Sequence, residues 1–189
     1  MRIGEVIMFK RKITKILSGL LLLLGISLLL TSQIKFYKDR DRNVSDCILT
    51  SDLRNQITEI SNTSDTPQDI IIKCSNLTCE TLSFTAKNDI QIGNANCVGY
   101  AQLTSAIINY TFQIKNLPYK AKPVVGKVYL FGIDLNNIAQ TILPPKQRPF
   151  FKDHDFVEVN LGDKTVFIDS SLQDFTGLTY MQINNTKKP

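Results

Sequence analysis

The chain has 189 residues, 43% hydrophobic and 21% charged, with one histidine, four cysteines and no tryptophan, a size that allows one domain plus a targeting segment. Its net charge of +5 is unevenly held: residues 1–42 carry nine Lys or Arg against three acids, and residues 43–189 carry 13 against 14. The folded part therefore lacks the basic stripe that a nucleic-acid surface needs, which excludes nucleic acid as a partner.

Residues 1–15 are a basic N-terminus, with Lys10, Arg11, Lys12 and Lys15 close together. No charge falls in the 19 residues between Lys15 and Lys35. About 20 apolar residues cross hydrocarbon as a helix, so residues 16–34 read as a transmembrane signal anchor. Five cations precede the segment and four follow it, a slight bias that sets the N-terminus inside and the C-terminal domain outside, periplasmic or extracellular. A cleavable signal peptide is the alternative, although Leu29-Leu30-Thr31-Ser32-Gln33 makes a poor cleavage site. Residues 35–44 are charged and read as a juxtamembrane tether. Residues 45–180 read as the folded domain, and residues 181–189 as a flexible tail.

Inside that domain, Ile48, Leu49, Leu53, Ile57 and Ile60 stand near helical spacing and predict a helix over residues 45–60. Thr66-Pro67 is a helix start, with Thr66 as cap and Pro67 in the first turn. The helix that follows carries Ile70, Ile71, Cys74 and Leu77 and is expected beside the next one. Gly93, Asn94 and Asn96 are turn and cap residues ahead of a helix over residues 97–114. Cys97 would then sit among unpaired N–H groups at the positive end of the macrodipole, where thiolate is favoured over thiol. Asn116-Leu117-Pro118 ends the helix. Val124 to Leu135 reads as a strand. The Pro-rich stretch from Asn136 to Lys152 reads as a loop bordering a cleft. Phe156 to Leu161 and Thr165 to Ser170 read as a hairpin about Gly162-Asp163. His154 starts one of its strands and Asp169 ends the other, so antiparallel pairing brings imidazole and carboxylate together. Cys47, Cys74 and Cys79 are either bridged in an oxidising compartment or small buried hydrophobes. There is no Cys-x-x-Cys pair, so no metal site is expected.

Four blocks also resemble, in order, the transglutaminase-like superfamily of papain-type cysteine enzymes. Gly93-x-x-x-Cys97-x-x-Tyr100-Ala101-x-Leu103 is similar to its nucleophile motif, and Leu117 to Gly126 to its following turn and strand. His154-Asp155-Phe156-Val157-Glu158-Val159 is similar to its histidine strand, and Phe167-Ile168-Asp169 to its aspartate strand, with Ser170-Ser171 where the family has Pro-Thr. The resemblance implies an α+β fold, N-terminal helices followed by a small antiparallel sheet on which the nucleophile helix packs. It also implies acyl transfer by a Cys97-His154-Asp169 triad acting on a peptide or protein substrate without a cofactor. Asn94, Asn96, Tyr100 and Phe156 are the candidates for oxyanion or substrate contact. Glu158 reads as a structural ion pair. The alternative is an inactive relative that binds peptide or envelope components. The sequence leaves oligomeric state open.

Overall fold

A computed structural model describes residues 34–45, 47–134, 137, 141 and 153–185. The basic N-terminus, the apolar segment as far as residue 33, most of the 136–152 loop and residues 186–189 lie outside them. Among the described residues no helix is long and apolar enough to cross a membrane. Ile34, expected as the end of a span, instead opens a strand.

The elements run β1 (Ile34–Asp41), α1 (Ser51–Thr63), α2 (Pro67–Thr81), β2 (Ser83–Phe84), β3 (Asn94–Ala95), α3 (Cys97–Ile114), β4 (Lys120–Leu130), β5 (Ile133–Asp134), β6 (His154–Asn160), β7 (Lys164–Ile168), α4 (Ser170–Thr176) and β8 (Met181–Asn185). A short 3-10 turn at Ile90–Ile92 precedes β3. This is the expected α+β class, but the helices do not come first: β1 precedes them and joins the antiparallel sheet, whose order is β1-β4-β6-β7-β8 with β5 folded back on β4.

The helix starts follow from their caps. Thr66 Oγ1 accepts the Asp69 N–H at 3.1 Å, ahead of Pro67 in the first turn. Thr50 does the same for Leu53, so α1 begins at Ser51, later than the apolar spacing predicts. Such side-chain oxygens satisfy amides that have no partner within the helix. Helices α1, α2 and α3 bury Leu53, Ile57, Ile70, Ile71, Leu103, Ile107, Ile108 and Phe112 against Val157, Val159, Val166 and Ile168 of the sheet. A second, smaller core fills the other face, from Ile34, Phe36, Val124, Val128, Phe156, Phe167 and Tyr180. The sheet curls around it until the Phe36 N–H of β1 reaches Gln182 Oε1 of β8 at 2.6 Å.

Three expectations are corrected. The predicted tether, residues 35–44, is largely β1, paired antiparallel with β4 from Ile34↔Leu130 to Asp41↔Val124 through a bulge between Lys38 and Arg40. Only Ile34 and Phe36 of β1 are buried, and charged edge strands of this kind resist edge-to-edge association. The predicted tail begins with β8, which pairs Ile168↔Met181 through Lys164↔Asn185. Finally, β4 starts at Lys120 and stops at Leu130, where Phe131 (φ 52°) and Gly132 (φ 78°) turn the chain into β5. Two successive positive φ values are the mark of a tight hairpin turn.

Candidate active site

Cys97 is the first residue of α3. Asn96 caps the helix, its Oδ1 accepting the Val98 N–H at 3.1 Å and the Gly99 N–H at 3.4 Å. Gly99 allows the preceding loop to lie close, since a Cβ there would fall on the Asn88 side chain and crowd Ala95.

The histidine arrives from the hairpin. Val157 lies opposite Ile168. Carried one residue past the ladder, that register sets Asp169 opposite Phe156 and diagonal to His154. His154 Nε2 lies 2.5 Å from Asp169 Oδ2, with the two side chains 21% and 1% exposed. Asp169 uses its other oxygen locally: Oδ1 accepts the Leu172 N–H at 3.0 Å, capping α4, and the Ser171 hydroxyl at 2.8 Å. One carboxylate thus starts a helix and holds an imidazole. Phe156 supports the ring from beneath, its centroid 6.5 Å from that of His154.

Cys97 lies beside His154, close enough to help raise the imidazole's pKa. Nε2 is taken by Asp169, so Nδ1 is the ring nitrogen left for a thiolate partner. Burial pushes the imidazole's pKa down. The Asp169 charge and hydrogen bond, reinforced by Cys97, outweigh that and hold it well above the ordinary histidine value. Burial likewise pushes Asp169 up, but the imidazole and the Leu172 and Ser171 donors bring it below the usual carboxylate range.

Sequence reasoning missed a second pair. Asp155, 2% exposed, places Oδ2 3.9 Å from Cys97 Sγ. Arg42, just past β1, grips that carboxylate two-to-two, Nε to Oδ1 at 2.6 Å and Nη2 to Oδ2 at 2.7 Å. No motif announces this pair, because Arg42 falls in the stretch that reads as a tether.

Three of the four remaining candidates have side chains engaged elsewhere. The Asn96 side-chain oxygen is spent on the cap. Tyr100 is buried, with its hydroxyl 2.6 Å from Asp174 Oδ2 and 3.0 Å from the Leu82 carbonyl. Phe156 is a core residue packed on Phe36 and Phe167. Asn94 is half-buried in β3 and exchanges backbone hydrogen bonds with Asp89. Glu158 is the expected ion pair, 2.6 Å from Lys38 Nζ.

All four cysteines are free. Burial pushes the Cys74 and Cys79 thiols up to about 12 and raises Cys47, which makes those three poor nucleophiles. Among the described residues no cluster of His, Cys, Asp or Glu is arranged to hold a metal ion. A groove of about 690 Å³ runs along α3 between Leu53, Ile90, Ile92 and Leu103, and its lining does not include Cys97. No family model matches the chain, and no curated protein or solved structure matches it.

Proposed function

We propose that the protein is a cysteine acyl-transfer enzyme of the papain and transglutaminase-like type, cleaving or exchanging amide bonds in a peptide or protein substrate. The observation that carries this reading is the imidazole of the only histidine, bonded through Nε2 to a buried carboxylate and close enough to the one cysteine at a helix start to be influenced by it. The apolar segment over residues 16–34 supports a membrane anchor with the domain on the extracytoplasmic side.

In the proposed mechanism the Cys97 thiolate attacks the amide carbonyl carbon. The backbone N–H at the start of α3 stabilises the oxyanion. His154, charged through its partnership with Asp169, gives its proton to the leaving nitrogen as the C–N bond breaks. The amine departs and a thioester remains on Cys97. Water or a second amine then attacks the thioester, the imidazole takes its proton, and the thiolate is regenerated. Asp169 keeps the ring in one orientation throughout.

A thiol-directed probe tests this reading. Cys97 is expected to be alkylated by iodoacetamide at pH 6–7 at least about tenfold faster than an ordinary thiol, and His154→Ala removes that advantage. Ordinary kinetics unchanged by the substitution would sink the enzyme reading. They would favour the alternative, an inactive binding module, whose one supporting observation is the Asp155 carboxylate against the sulfur: a negative charge there opposes the thiolate.

A further inference from the structure

We infer that Arg42 is a positioning residue for the Cys97 nucleophile: its guanidinium cancels the Asp155 carboxylate, which lies against the sulfur, so that the thiolate can form beside it. The inference rests on the acyl-transfer reading and deepens it. Asp155 is almost wholly buried, so little water screens its charge. The Arg42 fork matches both of its oxygens, the geometry in which an arginine–carboxylate pair is strongest. Arg42 is held in place by its own backbone, whose N–H donates to the Pro123 carbonyl at 3.1 Å.

Among the described residues the charged groups around the sulfur are few. From β6 come His154, with Asp169 behind it, and Asp155. From the end of β1 comes Arg42, with Asp153 4.0 Å from its Nη2. The first turn of α3 contributes no acidic residue, only its amides. With Arg42 present, Asp155 serves as a neutralised acceptor that orients the thiol. Without it, Asp155 becomes a buried negative charge next to a group that must itself become negative. The pair spans 113 positions of sequence, so the strand that follows the apolar segment is also what completes the nucleophile's surroundings.

The test follows iodoacetamide alkylation against pH on the full chain in detergent, read by mass spectrometry on tryptic peptide 88–115, which contains Cys97 and no other cysteine. Arg42→Gln should lower the rate at pH 7 about tenfold and move the midpoint up by about one unit. Arg42→Lys, which keeps the charge but loses the fork, should recover part of the rate. Asp155→Asn should move the midpoint the other way, because it leaves Arg42 as an unopposed positive charge. Arg42→Gln combined with Asp155→Asn should return it close to the parent, since no uncompensated carboxylate remains. A double variant no faster than Arg42→Gln alone would overturn the inference, as would an Arg42→Gln profile that superimposes on the parent. If Arg42→Gln fails to fold, Asp155→Asn decides, and an unchanged midpoint there overturns it. His154→Ala separates the two levels. If it leaves Cys97 unaffected, the acyl-transfer reading falls. If it slows Cys97 while Arg42→Gln does not, only the role of Arg42 falls.

Discussion

Two aspartate-containing corners lie by Cys97, His154–Asp169 and Arg42–Asp155, and they are built in opposite ways. The His154–Asp169 corner comes from one hairpin, its members 15 positions apart. Tight local pairing fixes it, and Asp169 would be needed there as the cap of α4 even without the imidazole. The Arg42–Asp155 corner joins two strands that are not neighbours, since β4 lies between β1 and β6. It exists only once the sheet is assembled. In the proposed mechanism the first corner would supply a proton and its orientation, while the second would remove an obstacle. On that proposal, damage to the first should act on Cys97 reactivity at every pH, and damage to the second on the pH at which the thiolate forms.

The largest effect is expected from Asp169→Asn. Asparagine keeps the helix cap and loses the charge. Cys97 alkylation at pH 7 should fall about tenfold, to the rate of an ordinary thiol. The chain's one histidine gives a single imidazole signal in a proton NMR titration, with a midpoint well above 6.5 in the parent. In Asp169→Asn burial dominates and the midpoint falls by at least about one unit. The stability signs follow the same pair. The raised histidine contributes fully below about pH 6.5 and loses its contribution as pH rises through its folded value. The lowered aspartate contributes above about pH 4 and loses its contribution as pH falls through its folded value. The loss of stability in Asp169→Asn, about 3 kcal/mol for breaking a buried pair, should therefore be greatest between about pH 4 and 6.5 in chemical denaturation. An imidazole midpoint unchanged by the substitution would remove Asp169 from the site.

The contrast between the corners also explains what could be read from sequence. Thr66-Pro67, the cap before Cys97 and the Gly162 turn are local signals, and the structure has helix, helix and hairpin where they point. His154 and Asp169 were legible because a hairpin converts sequence order into proximity. Strand β1 was not, because only Ile34 and Phe36 alternate inward before the pattern dissolves into Lys, Arg and Asp. Helix α4 did leave a signal, Asp169 as cap and Gly177 at φ 72° as its stop, but seven mostly polar residues carry little periodicity. Tyr100 and Phe156 read as site candidates because the family motif includes their positions. The core uses both, which composition alone does not reveal.

A smaller effect should come from Gly126→Ala, which strikes the assembly of the second corner. A Cβ at Gly126 would fall on the Tyr37 carbonyl oxygen and press on Lys38 Cα and Phe156 Cζ, both at 3.0 Å. The rigid obstacle is the backbone of β1, so β1 has to move. Overpacking of this kind costs about 1–3 kcal/mol. Amide hydrogen exchange should show the loosening in β1 ahead of β7. Equal loosening of both strands would mean that the sheet yields as a unit and that the Arg42 corner is no more fragile than the hairpin.

The smallest effect, and the sharpest division between the ends of β1, should come from Gln182→Ala. Gln182 Oε1 accepts the Phe36 N–H at 2.6 Å and is the acceptor through which the curled sheet draws β8 towards β1. Removing it deprives a partly buried amide of that acceptor, at about 1 kcal/mol, or roughly 2–4 °C in thermal midpoint for a domain of this size. Gln182→Glu restores an acceptor and should recover most of the loss. Phe36 near the start of β1 and Arg42 just past its end are six residues apart, at most about 20 Å, so the Cys97 alkylation profile should not change. If it does shift towards that of Arg42→Gln, closure of the curl and placement of the guanidinium are one event. The second corner would then depend on the whole circumference of the sheet and not on the β1–β4 ladder alone.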